Sequence, residues 1–95
     1  MTEEEIRTAL EKHISDLTVS GFGVIDPAVL ESLDKLAIAA GEAGMKEGKH
    51  LIENLSGVMK AIQESKSKPE SGGIRLTALD FYLKKIAGHG AIEEL

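Results

Sequence analysis

The chain has 95 residues, 42% of them hydrophobic and 28% charged, with a formal net charge of −5. That length supports one hydrophobic core rather than two, so residues 1–95 are read as a single domain. An acidic balance without a basic stripe argues against nucleic acid, no apolar run approaches the about 20 residues of a membrane span, and the lack of cysteine excludes disulfide and thiol chemistry.

Phe22, Phe81 and Tyr82 are the only aromatic residues. A core built from Leu, Ile, Val, Met and Ala suits helix-on-helix packing better than a sheet. The acidic start Met1-Thr2-Glu3-Glu4-Glu5 is the reverse of a signal peptide's basic opening, which predicts a cytoplasmic protein.

Thr2 and Glu5 have the spacing of a capping box, and three acidic residues favour a helix N-terminus. Ile6, Leu10, Ile14 and Leu17 then recur on one helical face. With Gly21 as the stop, the first helix is predicted over about residues 3–20. Asp26 as a cap and Pro27 at the first helical position open the second, over about 27–43, whose apolar face is Leu30, Leu33, Leu36, Ala37 and Ala40. Gly41 and Gly44 supply its stop. A third helix is predicted over about 46–64, facing inward through Leu51, Ile52, Leu55, Val58, Met59 and Ile62. Gly48 falls on the same face, and with Ala37, Ala40 and Ala43 opposite it predicts a tight antiparallel hairpin of helices two and three.

Residues 65–73, polar and rich in Ser, Gly and Pro, read as a loop. The fourth helix is expected over about 74–87, with Leu76, Leu79, Leu83 and Ile86 inward and Phe81 or Tyr82 near the edge. Gly88 and Gly90 read as its end, and Ile92 and Leu95 in the tail could dock back. Pairs at (i, i+4) spacing, Glu31/Lys35, Lys49/Glu53, Lys60/Glu64 and Asp80/Lys84, support the helices at about 0.2–0.5 kcal/mol each. The fold class is therefore all-α, an up-down four-helix bundle.

Few residues could carry chemistry. His13 lies about 50° from the centre of the first apolar stripe and reads as a structural histidine. His89 lies between Gly88 and Gly90, beyond the expected helix end. His50 points about 130° away from the third helix's apolar face, into solvent. An exposed histidine on a four-helix bundle resembles a histidine phosphotransfer domain, in which a Lys three residues on and then a Gly follow the phosphoacceptor. Glu53 and Asn54 occupy those places here, and a carboxylate beside the acceptor repels an incoming phosphoryl group. No Glu-x-x-His pair or His-x₃-His predicts a metal, and Gly41-x-x-Gly44-x-x-x-Gly48 lacks the ending and preceding strand of a phosphate loop. No metal and no cofactor are expected, and the chain is not read as an enzyme.

Val29-Leu30-Glu31-Ser32-Leu33-Asp34-Lys35-Leu36-Ala37, then Ala43-Gly44-Met45 and Leu51-Ile52-Glu53-Asn54-Leu55, resemble the Leu-rich helical modules that accompany SWIM-type zinc-finger proteins. The zinc-binding cysteines are absent, so the resemblance implies a protein-contacting role and no metal. The expected function is a non-catalytic helical interaction module, acting on a protein partner or by self-association. Its candidate surface residues are Ile38, Phe81 and Tyr82, with Val24 and Ile25 in the first connection. The alternative is phosphotransfer through His50.

Overall fold

A computed structural model describes the backbone of residues 1–93 and the side chains of residues 1–87. It contains four helices: α1 Glu3–Ser20, α2 Pro27–Glu42, α3 Lys46–Gln63 and α4 Pro69–Glu93. Each helix packs against its neighbours in the chain, and α4 closes the ring by packing on α1. The contact between α2 and α3 is the most extensive. This is the up-down bundle that short connections between amphipathic helices dictate.

The helix ends are set by local chemistry. Thr2 Oγ1 accepts from the Glu5 backbone N–H at 3.1 Å while Glu5 Oε1 accepts from the Thr2 N–H at 2.8 Å, a complete capping box. Asp26 Oδ1 accepts from the Ala28 N–H at 2.9 Å, with Pro27 next to it. The stop of α2 is Gly44, at φ 82°, and not Gly41, which lies inside the helix. The Met45 N–H donates to the Ala40 carbonyl at 2.8 Å and the Gly44 N–H to Gly41 at 3.2 Å, a Schellman motif in which Met45 and Ala40 are both buried. The same pair of bonds ends α3, from Lys66 to Ala61 at 2.7 Å and from Ser65 to Ile62 at 3.0 Å. There the left-handed position is filled by Ser65, at φ 62°.

Ile6, Leu10, Leu33, Ile52, Leu55, Met59, Leu79 and Leu83 form the fully buried centre. Among the described residues Ser56 is the buried polar one; its hydroxyl donates to Asp34 Oδ1 at 2.8 Å, and Lys60 Nζ reaches Asp34 Oδ2 at 3.1 Å. Of the predicted intrahelical pairs, Glu31/Lys35 and Asp80/Lys84 form, at 3.2 and 3.0 Å. Lys60 instead clasps α2 through Asp34, and the Lys49 stem lies over Gly41.

The fourth helix departs from the sequence expectation. It starts at Pro69, five positions before the expected start at 74, and runs on through Gly88 to Glu93. The Ser71-Gly72-Gly73 breakers lie inside it because Gly72 is buried beneath the Phe22 ring. A Cβ at position 72 would meet Phe22 Cγ and Cδ1 at 2.6 Å. Phe22, which the sequence places in a loop, is thus a core residue that closes one end of the bundle. Gly48 also serves a different neighbour from the expected one. It accommodates Tyr82 of α4, whose ring would lie 3.0 Å from a Cβ there. Ala43, counted with the small residues of α2, is exposed.

Candidate functional site

The bundle uses one side of α4 for its core: Leu76, Leu79, Tyr82 and Leu83 are buried and Ile86 packs half-buried against them. At about 100° per residue, Ile74 and Phe81 fall on the opposite side of the same helix. They are 69% and 73% exposed. Thr77, Ala78, Glu70 and Lys85 share that outer stripe, and all are exposed. The Thr77 hydroxyl donates to the Gly73 carbonyl at 2.8 Å, which satisfies it within the helix. Beside the stripe a groove runs between α3 and α4, lined by Glu47, Leu51, Ile74, Ala78, Phe81 and Tyr82.

Tyr82, expected at the surface with Phe81, is buried. It forms the floor of this groove and not part of an exposed patch, because Gly48 leaves room for its ring. Burial, with Glu47 and Glu3 nearby, pushes the Tyr82 phenol above its ordinary pKa, so the hydroxyl stays protonated. Ile38, also expected at the surface, is 62% exposed, but it belongs to α2, whereas the groove is built from α3 and α4. Ile74 is the member of the stripe that the sequence analysis did not single out. Its seven-residue spacing from Phe81 carries the signal, which shows only once residues 69–73 are helical.

A second recess lies where α1 passes into α2, lined by His13, Asp16, Leu17, Val24, Ile25 and Asp26 among others. Val24 is 90% exposed there. His13 is half-buried, and its Nε2 shares a hydrogen bond of 2.8 Å with Ser32 Oγ. Burial holds the imidazole below its ordinary pKa; Asp16 opposes this and Lys12 adds to it. The described ion pairs include none with His13, so the Ser–His pair lacks the orienting acid of a nucleophilic triad. It ties α1 to α2.

His50 is exposed on the first half of α3, with Nδ1 3.8 Å from Glu53 Oε1. The carboxylate that the sequence places three residues on is therefore its nearest charged partner, and the Lys49 stem lies against Gly41. His89 lies outside the residues whose side chains are described, as do Ile92 and Leu95 of the tail. Among the described residues no group of three or more His, Asp or Glu side chains could hold a metal ion, and no helix is long and apolar enough to cross a membrane.

No protein-family model, curated protein or solved structure matches the chain.

Proposed function

We propose that this protein is a non-catalytic helical interaction module that uses the outer face of α4 to contact another protein. One observation carries the reading. The apolar demand of the core is met by one side of α4, yet Ile74 and Phe81 stand 69% and 73% exposed on the other. Large apolar side chains grouped on a single face, with polar residues at its ends, are how proteins mark a contact site. The adjoining groove, floored by Tyr82 and walled by half-buried Leu51, would receive a side chain from the partner. Phosphotransfer through His50 gains no support of its own: Glu53, 3.8 Å from the imidazole Nδ1, takes the place where that family carries a Lys, so no positive charge is set beside the acceptor.

The test is photocrosslinking in cells with benzoylphenylalanine placed at position 81 in one variant and at exposed position 31 on α2 in another. A protein adduct at 81 that is absent at 31, and lost on adding Ile74→Lys, is the expected result. Adducts at neither position, or equally at both, would overturn the reading.

A further inference from the structure

The stripe on α4 has an internal symmetry that selects its partner. Read from its N-terminal end it is acidic Glu70, apolar Ile74, small Thr77, small Ala78, apolar Phe81 and basic Lys85. Read from the other end it has the same chemistry with the charges exchanged. If a second copy of α4 is laid antiparallel on the first, with the twofold axis between Thr77 and Ala78, Ile74 meets the second copy's Phe81. Glu70 then meets its Lys85, twice over. An isologous interface requires such self-complementarity. The small pair at the axis lets the two helices approach closely, and the Thr77 hydroxyl is already bonded to Gly73 within its own helix.

We infer that two copies of this chain associate through antiparallel packing of their α4 outer faces, with Ile74–Phe81 contacts flanked by Glu70–Lys85 ion pairs. The inference rests on the reading of this face as a contact surface and names its occupant. Charge supports a second copy. The described ion pairs include neither Glu70 nor Lys85, whereas Lys84 is engaged by Asp80 at 3.0 Å. Glu70 and Lys85 cannot pair within one chain, being about 22 Å apart at 1.5 Å of rise per residue. Phe81 of each copy would lie beside the groove floored by the other's Tyr82.

The experiment is sedimentation equilibrium of the full chain over a concentration series, with far-ultraviolet circular dichroism to confirm that each exposed-site variant keeps its helices. The wild type is expected to dimerise. Glu70→Lys and Lys85→Glu each set like charges against each other at both ends of the seam, and each should weaken self-association by about tenfold or more. Mixing these two variants restores opposite charges at both ends, so the mixture should dimerise where neither variant does alone. Phe81→Lys should be monomeric. A wild type that stays monomeric, a dimer indifferent to Phe81→Lys, or a mixture that fails to associate would each overturn the inference. A monomeric wild type that still gives the position-81 crosslink to a different protein would sink self-association and leave the contact surface standing. Absence of that crosslink as well would sink both.

Discussion

Gly72→Ala tests the packing that places the start of α4. In an unobstructed helix this change is stabilising by about 1 kcal/mol, because Gly carries the larger entropic cost. Here the new methyl group would lie 2.6 Å from Phe22 Cγ and Cδ1 and 2.9 Å from Cδ2. The clash is with the root of the ring, which cannot swing aside while its Cβ stays in place. The ring must therefore leave a site where it is 7% exposed, losing about 1.5–3 kcal/mol of burial. Set against the propensity gain, the net expectation is a loss of about 0.5–2 kcal/mol. Phe22→Ala alone should cost about 3 kcal/mol, at the lower end for a large aromatic truncation since the site lies at the bundle's end. In that background the obstacle is gone, and Gly72→Ala should become stabilising by about 0.5–1 kcal/mol. Urea unfolding of the four proteins in this double-mutant cycle, followed by circular dichroism, measures each difference. Stabilisation by Gly72→Ala in the wild-type background, or the same effect in both backgrounds, would refute the assignment of Phe22 to Gly72.

Two further outcomes follow from the same kind of geometry. Ser65 holds the left-handed position of the motif that ends α3, so Ser65→Gly should raise stability by about 1 kcal/mol, read as a higher urea midpoint with an unchanged slope. Burial lowers the His13 pKa in the folded state, whereas the unfolded chain takes up its proton near 6.5. The unfolded state therefore binds more protons below that pH, and stability should fall as pH drops from about 6.5 to the folded pKa, with no further loss from this group below it. His13→Gln should flatten that slope in unfolding curves measured across the range; an unchanged slope would assign it to another group.

What was legible in the sequence was what is settled within a few residues along the chain. Thr2 with Glu5, and Asp26 with Pro27, contain their own hydrogen-bond partners, so the starts of α1 and α2 could be read without knowing the fold. The inward faces were legible for the same reason, since the 3.6-residue period is local. Ser71-Gly72-Gly73 reads as a loop on every local criterion, because those residues are helical on account of a ring fifty positions earlier in the chain. Gly48 was assigned to the wrong neighbour for a related reason. A glycine announces close approach but not what approaches, and the atoms nearest the Cβ position of Gly48 belong to Tyr82 of α4.

The misplaced start of α4 had a consequence for the site itself. With the helix beginning at 74, Ile74 is a terminal residue and Glu70 belongs to a loop, so Phe81 stands alone and Tyr82 serves equally well as a surface aromatic. Once Pro69 opens the helix, Glu70, Ile74, Phe81 and Lys85 fall on one line, and Tyr82 turns inward onto Gly48. The contact between Phe22 and Gly72 therefore does two things: it closes the core at one end, and it adds the first turn that carries Glu70 on the outer face. A chain in which Phe22→Ala frays that turn should lose the Glu70 end of the seam while keeping Ile74 and Phe81. Its self-association should then be weaker than that of the wild type and less sensitive to Lys85→Glu. Equal sensitivity in both backgrounds would separate the first turn of α4 from the interface and leave Phe22 with a role in the core alone.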